Sequence, residues 1–383
     1  MQQIDRNIIA LGWVSFFTDM ASSMVTTLLP IFVVYVLDEG VDKLGYIIAI
    51  ATFTSYALRI FFGYLSDRYQ IVKPFVAGGY LISAVTKPLL MFSHSYGSVA
   101  ALRTLERMGK AVRSASKDSL ISQYSQSGKA GKSFGFHKMM DVAGEMSGAL
   151  IIVAVFYLGK ENEAWMRDIF GWTLLPGLIA VVIMLFFVKD APKKSKQNKS
   201  VINKDDYHLF WILGGYFAFA FFMMSEQYFI LRARETGFTL FEIPLLVIAS
   251  TLTQILLSYY SGTLIDRVGS SAMLFVSYLF GLMSLLAIKF GLIWLSFVFL
   301  GVFTVVSLNA LRAYISANAI SQAFVYGILY GGIAISSSLG ALVVGEIWHR
   351  WGFGSVVLFS LIGMSVMSVA LIPMIRKGKN AEQ

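Results

Sequence analysis

The sequence predicts an all-α membrane protein of about twelve transmembrane helices in two pseudo-symmetric six-helix bundles, and three observations carry that prediction. Of 383 residues, 57% are hydrophobic and only 14% are charged, against roughly 25% charged in an ordinary soluble domain. Apolar runs long enough to cross a bilayer recur along the whole chain. Two short stretches also repeat, 199 positions apart: Gly63-Tyr64-Leu65-Ser66-Asp67-Arg68 and Gly262-Thr263-Leu264-Ile265-Asp266-Arg267. Each closes an apolar run and opens a basic turn.

A helix needs roughly 20 apolar residues to cross the hydrocarbon core. Such runs fall near 8–36, 44–65, 75–92, 98–121, 134–158 and 168–188 in the first half. The second half has 208–230, 243–265, 271–289, 291–317, 322–347 and 353–375. The first run starts at Asn7 with no A-x-A-like cleavage site and continues to about Leu37, far beyond a signal-peptide core, so a retained helix is expected. The fourth run is punctuated by Arg103, Glu106, Arg107, Lys110 and Arg113, and the fifth by His137, Lys138, Asp141 and Glu145. Hydropathy alone would delete both, yet restoring them keeps the charge bias of the turns consistent.

Lys and Arg set the orientation. Odd-to-even turns mix Asp38, Glu39 and Asp42 with Lys43, then carry Ser93-His94-Ser95, then Glu161, Glu163 and Asp168 against Lys160 and Arg167. Even-to-odd turns carry Arg68 and Lys73, then Lys117, Lys129 and Lys132, then Arg267, and both termini join that basic set. Twelve crossings with both ends cytoplasmic satisfy the bias. The polar stretch 189–206 holds six lysines against Asp190, Asp205 and Asp206, and Pro192 stops the helix before it. It reads as a solvated cytoplasmic basic linker at the lipid surface, dividing a bundle at 1–188 from one at 207–383.

Composition excludes several functions. Net charge is +9, but the basic residues sit in short turns with no continuous basic face, so anionic lipid rather than nucleic acid is the expected counter-charge. With no cysteine there are no disulfides or thiolate metal sites. Gly131-Lys132-Ser133 imitates the end of a phosphate-binding loop, but Gln126 stands where the loop requires glycine. His94, His137, His208 and His349 lack paired metal-ligand spacing. Neither an enzyme, a cofactor nor a bound metal is expected.

A charge at the bilayer centre costs at least about 2.5 kcal/mol, so ionisable residues there are functional candidates. In the fourth run Arg103, Glu106, Arg107, Lys110, Arg113 and Lys117 recur every three or four residues along one helix face. That face must look at protein or water. Depth puts Glu106 to Lys110 near the midplane together with Asp19 of the first run and Glu145 of the fifth, while Arg113, Lys117 and Asp118 lie toward the cytoplasm. Asp19 stands alone in a long apolar run, a position suited to carrying a coupling proton, with Glu106 and Glu145 as further candidates. Arg107, Lys110 and Arg103 are candidate contacts for an acidic solute, or else internal ion pairs. The second half adds Glu226, Gln254 and Asn309, among Phe217, Phe219, Phe221, Phe222 and Tyr228. That asymmetry suggests a solute with a charged end and an apolar end.

The repeated stretches are similar to the cytoplasmic motif of the major facilitator superfamily, through Gly63, Leu65, Asp67, Arg68 and Lys73 and the weaker copy Gly262, Leu264, Asp266, Arg267 and Gly269. The resemblance covers the whole length, although Tyr69-Gln70 replaces the glycine usual in the turn. Phe134-Gly135 and Gly148-Ala149-Leu150 recur as Tyr326-Gly327 and Gly340-Ala341-Leu342 at an offset of 192. The resemblance implies two bundles around a central cavity that opens to each side in turn. It makes Gly63, Asp67, Arg68, Asp266 and Arg267 a conformational latch, joined by Arg113, Asp118 and Asp141 as a cytoplasmic charge relay. Gly135, Gly144 and Gly148 match the first part of the family's antiporter motif, with Ala149 where proline is expected. The expected function is a monomeric, proton-coupled secondary transporter of the inner membrane, moving a small amphiphilic acidic organic solute such as a metabolite, drug or siderophore-like molecule, with export favoured over import. A cation or metal-ion carrier using Asp19, Glu106 and Glu145, or a receptor without turnover, is the alternative.

Overall fold

A computed structural model describes residues 5–69, 72–125, 130–159, 164–190, 206–207, 209–320 and 322–381. Among these the regular structure is helical, with no strand. The first half contains α1 (Arg6–Ile31), α2 (Val41–Tyr69), α3 (Lys73–Thr86), α4 (Tyr96–Tyr124), α5 (Ala130–Gly159), α6 (Trp165–Trp172) and α7 (Leu174–Phe187). The second contains α8 (Leu209–Phe222), α9 (Glu226–Glu235), α10 (Glu242–Val268), α11 (Ser270–Lys289), α12 (Ile293–Asn318) and α13 (Gln322–Ala381). Eight stretches among the described residues are long and apolar enough to cross a membrane, one of them running from Val325 to Ala370 through a break. Most of the linker, residues 191–205, lies outside the described residues.

Several expected spans are broken rods, and local chemistry explains where. The third stops at Thr86 because Pro88 cannot donate an amide to a helix, and a 3₁₀ turn, Pro88–Phe92, completes it. The sixth divides at Thr173 into α6 and α7, with Pro176 in the first turn of α7, where its missing N–H is harmless. Gly352 adopts a φ of 78°, a left-handed conformation open to glycine, and so separates the last two rods within α13. At Gly269 a φ of 95° ends the second copy of the repeat and lets α11 begin at Ser270. The charged α4 and α5 are continuous helices of 29 and 30 residues.

The chain divides into two compact units, one comprising Met1–Glu39, Ile50–Gln197 and Thr239–Leu245, the other Gly40–Ala49, Asn198–Phe238 and Leu246–Gln383. In the first unit α1 packs on α5, and α3 packs on α4 and α7. In the second α8 packs on α13, and α11 on α12. The halves use the same device at equivalent contacts. Gly144 and Gly148 of α5 lie against the main-chain carbonyls of Phe16 and Met20, and Gly340 of α13 lies against that of Phe221 on α8. A methyl group at any of the three would collide with backbone, so the close approach requires glycine. Gly135, by contrast, faces open space.

Candidate functional site

The charged face of α4 divides into two layers. Arg103 and Glu106 are 1% and 2% exposed and form an ion pair with each other across one helical turn. Arg107 reaches the same carboxylate at 3.9 Å. Beyond that pair, Arg107, Lys110, Arg113, Lys117 and Asp118 line a cavity of about 310 Å³ inside the first unit. Its remaining wall comes from α1, α2, α3 and α5.

On the α1 side, Asp19 lines the cavity between hydroxyl side chains, with Thr18, Ser22, Ser23 and Thr26 as its neighbours on the helix. Its setting is therefore polar, which corrects the expectation of a carboxylate alone in an apolar helix. Lys110 lies within electrostatic range of Asp19, and Glu145 of α5 within range of Asp19, Lys138 and Lys110. The expected midplane cluster is thus brought together for Asp19, Arg107, Lys110 and Glu145. Arg103 and Glu106 are placed otherwise: neither lines the cavity, and they pair with each other through one terminal nitrogen of Arg103. With Glu106 engaged by Arg103, the trio Asp19, Glu106 and Glu145 does not form a set of converging oxygen ligands.

The relay residues are also redistributed. Arg113 donates to Ser83 Oγ at 2.6 Å and to the Gly79 carbonyl at 3.3 Å, and its guanidinium lies over the Tyr80 ring at 4.7 Å. Its described partners therefore sit on α3 rather than on Asp118 or Asp141. Asp141 meets His137 Nδ1 at 3.3 Å, and His137 Nε2 in turn meets Ser15 Oγ at 2.8 Å. Lys117 donates to the same serine at 3.4 Å. All three expected relay residues contribute to the cavity wall. Arg267 is exposed at the end of α10, while Gly63, Asp67, Arg68 and Asp266 lie outside the residues whose side chains are described.

In the second unit Gln254 and Asn309 both turn to serines of α10, Gln254 to Ser250 at 3.5 Å and Asn309 to Ser261 at 3.0 Å. Glu226 opens α9. Of the aromatic residues around them, Phe219, Phe221, Phe222 and Tyr228 are used in packing. Phe219 stacks on Tyr278 at 4.0 Å, Phe221 and Phe222 meet Phe359, and Tyr228 is buried with its hydroxyl on the Ala341 carbonyl.

Sequence reasoning missed Arg59 of α2, Lys138, the Ser15–His137–Asp141 chain and the α1 hydroxyls. A signal for the hydroxyls existed, since Ser15, Thr18, Ser22 and Thr26 recur at helical spacing on one face.

Comparison with known proteins fits this architecture. The model of the Major Facilitator Superfamily matches residues 11–233. An uncharacterized MFS-type transporter of Methanocaldococcus jannaschii is 28% identical over 369 residues, covering 91% of this chain and 89% of the relative. An uncharacterized protein of Mycobacterium bovis is 29% identical over 149 residues, 39% of this chain and 36% of its own length. Among solved structures, the nucleoside transporter NupG, as a D323A mutant, superposes with a TM-score of 0.79 at 13% identity, over 96% of this chain and 99% of that one. A bacterial homolog of the human lysosomal transporter Spinster, inward-facing and unoccupied, gives 0.70 at 14%, over 97% and 94%. Those likenesses concern the fold.

Proposed function

The chain belongs to the major facilitator superfamily of membrane transporters, and we propose that it carries a small acidic organic solute across the inner membrane by alternating access, coupled to protons and directed outward. The observation that carries this reading is the convergence of Arg107 and Lys110 with Asp19 and Glu145 on one cavity. Cations there offer a solute anion its charge partners, and the adjacent carboxylates offer a proton its site. Phe219, Phe221, Phe222 and Tyr228 are engaged in packing within the second unit, so what supports the reading is the charged end of the solute, which the first-unit cavity receives. We keep the bundles at 1–188 and 207–383, the basic linker 189–206 against anionic lipid, the cytoplasmic termini and the monomeric state as parts of the same proposal.

Proteoliposomes with an imposed pH gradient test it. Saturable accumulation of an organic acid that collapses when the gradient is dissipated is the expected result, and the sidedness of the effective gradient gives the direction. Acid binding without flux would make the protein a receptor, and flux of inorganic cations alone would make it an ion carrier.

A further inference from the structure

The cavity in the first unit also constrains which acid fits, an inference that rests on the acid-carrier reading above. Every described residue lining it carries a hydroxyl, an amine, a guanidinium or a carboxylate. Ligand pockets are ordinarily lined mostly by apolar side chains, with a few polar groups to fix orientation. This one is polar all round.

Its hydroxyls are arranged to receive. On α1, Thr18, Ser22 and Thr26 donate to the carbonyls of Val14, Thr18 and Ser22 at 2.8, 3.0 and 3.0 Å. Their protons are thereby used on the helix, which leaves oxygen lone pairs to accept from a solute hydroxyl. Beside them Ser23 is 2% exposed, lines the cavity, and has no partner for its Oγ among the described residues. A buried hydroxyl without a partner is costly, and a ligand hydroxyl in that place removes the cost.

The charges are arranged to hold an anion. Six cations line the cavity, Arg59, Arg107, Lys110, Arg113, Lys117 and Lys138, against the four carboxylates Asp19, Asp118, Asp141 and Glu145. The excess is two. Arg107 and Lys110 stand three residues apart on one helix face, so their Cβ atoms are about 5–6 Å apart. That spacing suits one compact dianionic group better than two separated carboxylates, and a guanidinium grips phosphate oxygens in a fork. A volume of about 310 Å³ lies at the small end of ligand cavities.

We propose that the occupant is a small hydroxylated phosphate monoester, its dianionic head between Arg107 and Lys110 and its hydroxyls on Ser22, Ser23 and Thr26. Calorimetric titration of the purified full-length protein tests this with glycerol 3-phosphate, glucose 6-phosphate, butyl phosphate, glycerate, octanoate and inorganic phosphate. One of the two hydroxylated phosphates should bind about tenfold or more tightly than butyl phosphate, glycerate, octanoate and inorganic phosphate. Arg107→Gln and Lys110→Gln should each weaken that binding by about tenfold. Ser23→Ala should weaken it while leaving butyl phosphate unchanged, a split that general misfolding does not produce. If glycerate, octanoate, butyl phosphate or inorganic phosphate binds as well as the hydroxylated phosphates, the substrate class is overturned and the acid-carrier reading stands. If no acid in the panel binds and none is transported, both fall.

Discussion

The ammonium group of Lys87 donates to the main-chain carbonyl of Thr18 at 3.1 Å, from a position that is 1% exposed and outside the cavity lining. Lys87 occupies the break that Pro88 imposes after α3, and Thr18 is the residue before Asp19 on α1. A helix interruption thus places a cation behind the wall that carries the candidate proton site. It adds positive potential to the cavity without touching an occupant. A charge held behind one wall of a cavity acts on an anion through space, and at an effective dielectric near 20 it contributes on the order of 1–2 kcal/mol. Lys87→Met should therefore weaken acid binding by about tenfold in titration, and Lys87→Arg should restore most of it. Equal loss in both variants would assign Lys87 to packing alone.

Glu106 is expected to matter for stability before transport. Its carboxylate is buried against Arg103, whose Nε and second terminal nitrogen already lack partners among the described residues. Removing one member of a buried pair strands the other and costs about 3–5 kcal/mol. Glu106→Gln should lower the thermal unfolding midpoint sharply, whereas Arg103→Met with Glu106→Met should recover most of the loss. A fully stable Glu106→Gln protein that has lost its pH response would instead make Glu106 the coupling group.

Three glycines, Gly135 and Gly148 of α5 and Gly340 of α13, should respond differently to a methyl group. Gly148→Ala meets the Met20 carbonyl, just as Gly340→Ala in α13 meets that of Phe221, so each should destabilise by about 1–3 kcal/mol. Gly135→Ala meets nothing and should gain up to about 1 kcal/mol from helix propensity. Thermal unfolding of the three variants separates packing glycines from the rest. A matching loss at Gly148 and Gly340 is what equivalent contacts in the two halves require.

These contrasts show what the sequence made legible. Apolar length and the duplicated Gly63–Arg68 and Gly262–Arg267 stretches suffice for an all-α membrane fold in two halves, because the bilayer restricts a spanning chain to few solutions. Periodicity also put Arg103 to Lys117 on one face of α4. It could not divide that face: the spacing of three allows Arg103 to pair with Glu106 within the helix, but which part of the face meets the cavity depends on the rotation of α4 against its neighbours, a tertiary quantity. The polar setting of Asp19 is hidden from a hydropathy reading for a related reason. Serine and threonine score as nearly neutral in a hydropathy reading, so α1 looked apolar while one side of it carried Ser15, Thr18, Ser22 and Thr26. Lys87 lies inside an apolar run, where the hydropathy of its neighbours conceals it.

Coupling and solute recognition should separate by mutation within the one cavity. Asp19 and Glu145 both lie within electrostatic range of Lys110, so protonation of a carboxylate and arrival of an anion influence each other through charge. Asp19→Asn removes a titratable group and leaves the cations in place. It should retain acid binding and counterflow while losing accumulation driven by an imposed pH gradient. Arg107→Gln or Lys110→Gln does the reverse: affinity for the acid falls at every pH, by about tenfold for a lost charge-assisted hydrogen bond, and pH-driven transport persists at saturating solute. The paired measurement is solute affinity by titration and uphill flux in proteoliposomes, on the same preparations. If Asp19→Asn still concentrates solute, Glu145 becomes the coupling carboxylate, since it faces the same cavity and Glu106 does not. If neither cation variant changes affinity for any acid, the α4 charges serve only the packing of the first unit.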